Sequence, residues 1–203
     1  MELHPHIYNA LIDPLLASVR KRIKNQLDPD LKVVDVASGT GKLVREIYHN
    51  SSEVTGVDIE PSMINYSRRR IDGKSKNKIS YIEADVRNLY FFEDKSFDIA
   101  TMSLALHQFD PGDWNTILTE IIRISDTIIV ADYNYPLPSA YKKNLVHLIE
   151  RIAGKEHYSN FRAFMNNGGV IPIAERNALN CIHSEISGSG IFSLYVLKKN
   201  SQR

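Results

Sequence analysis

Three carboxylates stand at or just past the ends of three apolar runs: Asp35 after Val33-Val34, Asp58 after Val54-Thr-Gly-Val57, and Asp85 after Ile79-Ser-Tyr-Ile82. Between the first two lies a turn of small residues, Ala37-Ser-Gly-Thr-Gly41, beyond which Leu43, Val44 and Ile47 recur at helical spacing. A strand, a tight turn and a helix in that order aim free backbone N–H groups and the positive end of the helix dipole at whatever fills the turn. Gly39 and Gly41 let the backbone turn sharply and admit a ligand close to the main chain. Asp58 follows Gly39 by about twenty residues, the distance at which an acid at the end of the next strand accepts both hydroxyls of a ribose. The chemistry these residues offer is nucleotide binding.

Which nucleotide is decided by absences. The dinucleotide fingerprint G-x-G-x-x-G, laid on Gly39 and Gly41, needs a third glycine where this chain has Val44, and Lys42-Leu43 does not supply the Lys-Ser/Thr pair of a Walker loop. The spacing Asp35-x-Ala37-x-Gly39-x-Gly41 instead resembles the first motif of the class I, Rossmann-like S-adenosylmethionine-dependent methyltransferases, with Ala37 where that family usually has its first glycine. The resemblance runs over roughly residues 31 to 134. Its most specific part, Asp85 to Asp110, is similar to the ubiquinone/menaquinone-biosynthesis-type methyltransferases and their relatives.

The resemblance implies a role for each matching position. S-adenosylmethionine is the implied cofactor, with Asp58 on its ribose and Ile59 and Met63 against the adenine face. Asp85 accepts from the adenine amine while the Val86 N–H meets a ring nitrogen. Asp35, with the loop Ala37, Ser38 and Gly39, orders the methionine end, and the Ser103 carbonyl receives the ammonium. These relatives act on diverse small molecules, so the implied partner is a small-molecule methyl acceptor whose identity stays open.

A sulfonium is already an activated methyl donor. The remaining task is to align a nucleophile in line with methyl and sulfur and to exclude water, with a base needed only if the nucleophile arrives protonated. His107 is the candidate catalytic residue. Tyr133, His157 and Tyr158 are further candidates for that base or for acceptor contact, and Arg162 is a candidate for acceptor contact. Arg162 would favour an anionic or carbonyl-bearing acceptor through its planar fork. No protein-bound metal is expected, because the seven histidines are dispersed. Asp132-Tyr-Asn134 is the one place where an acid could join a catechol-type metal site. Two rival functions use the same elements: an NAD(P)-dependent oxidoreductase, with Asp58 but no need of Asp85, and a non-catalytic S-adenosylmethionine-binding protein.

The elements that must position these residues alternate. Strands are expected at 31–36, 54–59, 79–86, 97–106 and 127–132, and helices from Lys42, from Pro61, over 112–125 and over 139–153. Such alternation predicts a parallel sheet with helices on both faces. Ile182–Ser187 and Ile191–Lys198, separated by Gly188-Ser-Gly190, have hairpin spacing. The expected fold is therefore α/β: a Rossmann-like, mostly parallel seven-stranded sheet ending in an antiparallel hairpin. Residues 154–169 read as an aromatic, glycine-ended connector that is either a lid over the acceptor or a helix packing Phe161, Phe164 and Met165 into the core. In the first thirty residues, Asp13 and Pro14 should start a helix with the stripe Leu15, Leu16, Val19, Ile23 and Leu27, lying on the sheet edge or over the cofactor cleft.

The chain has 203 residues, 43% hydrophobic and 24% charged, the composition of one globular domain. A net charge of +1 supplies no field to recruit nucleic acid or a membrane. Arg68-Arg-Arg70 with Lys74, Lys76 and Lys78 is the usual cationic end of a helix. One cysteine, Cys181, allows no intramolecular disulfide and fits a reducing cytoplasm. No stretch reads as a signal peptide or membrane span, and a monomer or homodimer is expected.

Overall fold

A computed structural model describes residues 16–73 and 75–199. Asp13, Pro14 and Leu15, and with them the expected helix start, lie outside the described residues. Residues 16–25 are helical (α1). Then follow β1 (Lys32–Val36), α2 (Lys42–Ile47), β2 (Glu53–Asp58), α3 (Pro61–Arg68), β3 (Ile79–Glu83) and β4 (Ile99–Ser103). A single 3-10 turn, Leu106–Gln108, leads to α4 (Trp114–Ile124), β5 (Thr127–Tyr133), α5 (Ala140–Ala153), α6 (Lys155–Asn166), α7 (Val170–Arg176), β6 (Leu179–Ile186) and β7 (Phe192–Lys199).

The seven strands form one sheet in the order β3-β2-β1-β4-β5-β7-β6. Pairings from β3 to β5 are parallel, and β7 runs antiparallel to both β5 and β6. The expected sheet and terminal hairpin are both present. Val33 and Asp35 on one face of β1 are as buried as Val34 and Val36 on the other, so both faces of the central sheet are covered. The chain winds outward from β1 through β2 to β3 and then returns to lay β4 on the other side of β1. That reversal is the topological switch point, where ligands of open α/β sheets collect beyond the carboxyl ends of the strands.

Two expected strands end earlier, and the expected connector is a helix. β3 stops at Glu83 and β4 at Ser103, so Asp85 sits on a loop and His107 on the 3-10 turn beyond the strand ends. Residues 155–166 form a regular helix in which Phe161 and Phe164 are fully buried, the core-packing alternative for the connector. Val19 and Ile23 of α1 are buried too, and Val19 and Arg22 lie beside Ala131, Phe192 and Leu194. Arg20 pairs with Glu46 at 2.9 Å and Arg22 with Glu185. The first helix therefore crosses the sheet from α2 to the edge strand β6.

Candidate active site

The small-residue turn after β1 is held from below by one ring. Tyr81 of β3 donates its hydroxyl to the Gly41 carbonyl at 3.0 Å. A Cβ at Gly41 would fall 2.4 Å from that hydroxyl oxygen, and one at Gly56 would fall 2.6 Å from Cδ1 of the same ring. Only glycine fits at both positions. Ala37 carries φ 54°, the left-handed region that favours glycine, which explains why the related motif places glycine there. Leu104, just beyond β4 and across the switch point, has φ 52°. Strained backbone thus borders the cleft on two adjacent strand ends.

Asp58 organises the turn. Its carboxylate accepts from the Gly39 N–H at 2.6 Å and the Glu60 N–H at 2.9 Å, one on each oxygen. Ile59 is 54% exposed beside it, and Met63 is half-buried on α3. The Ser38 hydroxyl is buried with no hydrogen-bond partner among the described residues. Asp35, wholly buried under the turn, accepts from the Thr101 hydroxyl at 2.7 Å. Burial raises its pKa to about 7, the Thr101 bond opposes that rise, and Asp58 adds to it. Ser103 ends β4 on the other side of the switch point.

Asp85 and the buried Val86 lie past β3. Arg87 grips Asp85 through Nε at 2.9 Å and Nη2 at 2.5 Å and reaches Asp113 at 2.9 Å. The hydrogen bonds from Arg87 hold the Asp85 carboxyl below the usual range and so keep it a charged acceptor.

At the ends of β4 and β5 a second polar cluster is closed by α5 and α6. The His107 side chain, 3% exposed, donates from Nδ1 to Asp132 Oδ1 at 2.7 Å, and its backbone N–H reaches Asp132 Oδ2 at 3.2 Å. Its Nε2 lies 3.7 Å from Glu150 Oε2, and His157 Nε2 lies 2.5 Å from the same oxygen. Tyr133 donates its hydroxyl to Glu150 Oε1 at 2.6 Å. Burial alone would lower the His107 pKa, but Asp132 and then Glu150 raise it above the ordinary value. Burial pushes Glu150 up, and the bonds and charges of His157, His107 and Tyr133 bring it below the usual range.

The premise that dispersed histidines make no cluster does not survive folding. His107, Glu150 and His157 bring one ligand atom each within 4.8 Å of one another. Asp132 is turned to His107 and not to a shared site with Asn134, whose side chain bonds Gly190 and Ser193. Tyr133 is a buried wall residue. Tyr158 packs against His147 and Arg151, and Arg162 is exposed with its guanidinium carbon 6.0 Å from the Tyr158 ring. Sequence reasoning missed Tyr81, Arg87, Thr101 and Glu150. Glu150 did leave a signal, since it stands four residues after Val146 on the buried stripe of α5, where an acid is out of place unless it has a partner.

Comparison with known proteins agrees with this geometry. Residues 33–126 match the family model described as "Methyltransferase domain". A ubiquinone/menaquinone biosynthesis C-methyltransferase from Shewanella sp. is 28% identical over 120 residues, 57% of this chain and 47% of that protein. A demethylmenaquinone methyltransferase from Corynebacterium kroppenstedtii is 32% identical over 123 residues, 58% and 49% of the two. The matched stretches cover about half the length of these curated relatives. A SAM-dependent methyltransferase from Aquifex aeolicus has the same fold, with a TM-score of 0.67 over 97% of this chain and all of the other at 16% identity. Sheet order and glycine turn define a Rossmann-like nucleotide-cofactor domain. Within that class, residues 33–126 match the methyltransferase domain model.

Proposed function

We propose that this chain transfers the methyl group of S-adenosylmethionine to a small-molecule acceptor by in-line displacement. The observation that carries the reading is the register of Asp35, Asp58 and Asp85, at or just past the ends of the adjacent strands β1, β2 and β3, around a turn that only glycine can make at Gly41. Asp58 takes the ribose hydroxyls, with Ile59 and Met63 on the adenine face. Asp85, kept ionised by Arg87, accepts from the adenine amine, and the Val86 N–H meets a ring nitrogen. Ala37, Ser38 and Gly39 line the methionine end, whose ammonium lies between Asp35 and the Ser103 carbonyl. An NAD(P)-dependent oxidoreductase would leave Asp85 and its arginine clamp without a purpose.

When bound, the cofactor supplies the activated methyl. The protein's own work is alignment and exclusion of water. The acceptor lies toward the ends of β4 and β5, with Tyr133, Tyr158 and Arg162 around it and His107 as the group acting at that end. The Asp132 bond fixes the ring of His107 and leaves Nε2 facing Glu150. The quinone pathways in the names of the relatives are not carried over, because the matched stretch is the cofactor half of the domain. We further propose a cytoplasmic monomer or homodimer that engages neither nucleic acid nor membrane. Among the described residues no helix is long and apolar enough to cross a bilayer.

The test is incubation with methyl-labelled cofactor and a host metabolite extract, followed by mass spectrometry. A labelled small molecule whose formation needs Asp58 is expected. Cofactor binding without any labelled product, in extract or against purified acceptors, would leave a binding protein in place of an enzyme.

A further inference from the structure

We propose that His107 Nε2, Glu150 Oε2 and His157 Nε2 form a binding site for one divalent transition-metal cation of the zinc class. Two buried carboxylates, Asp132 and Glu150, share this pocket with two imidazoles, and burying two negative charges together calls for two positive ones. A divalent cation held by neutral imidazoles supplies both. The alternative is a proton on each ring. The convergence of the groups favours the cation: Glu150 Oε2 is faced by His107 Nε2 at 3.7 Å and His157 Nε2 at 2.5 Å, and one ligand atom from each of the three residues lies within 4.8 Å of the others. The three side chains thus turn one possible ligand atom each toward a common point.

Ligand type and surroundings select the metal class. Two imidazole nitrogens and one carboxylate oxygen suit zinc and its first-row neighbours, whereas magnesium and calcium prefer oxygen throughout. Two ligand atoms each about 2.1 Å from a tetrahedral zinc are roughly 3.4 Å apart. The 3.7 Å separation of His107 Nε2 and Glu150 Oε2 is close to that span. His157, whose side chain is 23% exposed, is the ligand with room to back away from Glu150 on loading. The outer contacts are those of a built site. Asp132 accepts from the far nitrogen of His107, fixing its tautomer, and the Tyr133 hydroxyl holds the second oxygen of Glu150. Three protein ligands leave a fourth position for water, the arrangement of catalytic and not of closed structural zinc sites. On the methyl-transfer reading, on which this last step alone rests, that position is offered to an acceptor oxygen.

Zinc stoichiometry decides it. Full-length protein stripped with a chelator, reloaded with zinc chloride and desalted is expected to retain about one zinc per chain. Cobalt loaded in its place should give the visible absorption of a four-coordinate N/O site. His157→Ala should weaken zinc at least 100-fold and Asp132→Asn about 10–100-fold. His157 is partly exposed, so its variant tests the site even if Glu150→Gln fails to fold. Parent protein that keeps no zinc, or a His157→Ala variant that binds it as the parent does, overturns the site and leaves a protonated ion-pair cluster. Cofactor calorimetry on the same samples separates the two proposals. Zinc lost with S-adenosylmethionine still bound removes only the metal, whereas zinc bound without cofactor affinity removes only the methyl-transfer reading.

Discussion

Asp35 lies under the glycine turn with the Thr101 hydroxyl as its side-chain partner, and burial lifts its pKa from 3.8 to about 7. Between those two values the folded protein holds a proton that the unfolded chain has released. Stability from this residue therefore falls as pH rises from about 4 to about 7 and is level outside that window. An ammonium brought beside Asp35 favours the carboxylate, so cofactor binding should release the proton and tighten as pH climbs toward 7, by at most about tenfold per pH unit. Calorimetry from about pH 5.5 to 8.5 checks this. Asp35→Asn should flatten the slope, and a parent-like slope in that variant would remove Asp35 from the ammonium. Ala37 offers a second residue-scale test. Its φ of 54° costs a non-glycine residue about 1–2 kcal/mol, against about 0.5–1 kcal/mol of extra chain entropy lost by glycine. Ala37→Gly should therefore stabilise by about 0.5–1 kcal/mol in urea unfolding, the reverse of the same exchange in a helix.

The elements explain which parts of this structure were readable in the chain. β1 and β5 are near-continuous apolar runs and α4 has a clean helical stripe, so periodicity located them within a residue or two. The end of β4 was less legible: Leu104-Ala-Leu106 continues the apolar run, yet the backbone turns at Leu104 and enters a 3-10 turn that carries His107 away from the strand. No local pattern encodes that turn, which is held by Asp132 from the neighbouring strand. Residues 154–169 were ambiguous because their glycines mark both ends of α6 while its aromatics fill the core. Phe161→Ala and Phe164→Ala should each cost about 3–5 kcal/mol by urea unfolding; losses near zero would restore the lid. The Tyr81 wedge links three elements in a comparable way. Gly56→Ala should cost about 1–3 kcal/mol in the parent and much less in a Tyr81→Ala background, a coupling that a double-mutant cycle measures. Simple additivity would show that the ring does not set the glycine requirement.

At the scale of the whole molecule, the reversal between β1 and β4 divides the sheet's carboxyl edge into two halves. The candidate cofactor residues were legible in the sequence because they lie at strand ends whose spacing the sheet dictates. The histidine cluster did not, because Glu150 and His157 reach it from helices after β5 and only tertiary packing brings them to His107. Occupation of the cofactor half should be visible as stability of the entire fold. A ligand at about 100 times its Kd adds about 2.7 kcal/mol, roughly 5–10 °C in Tm for a domain of this size. S-adenosylmethionine and its demethylated product should each give such a shift, and NADH none. Asp58→Ala removes a charged acceptor for two hydroxyls and should weaken the cofactor tenfold or more, which at the same concentration about halves the shift. Each variant is compared with its own ligand-free Tm, since Asp58 also holds the N–H groups of Gly39 and Glu60 and its loss lowers the starting point. An undiminished shift in Asp58→Ala would mean that the cofactor does not rest its ribose on β2, and a shift with NADH equal to that with S-adenosylmethionine would return the oxidoreductase reading.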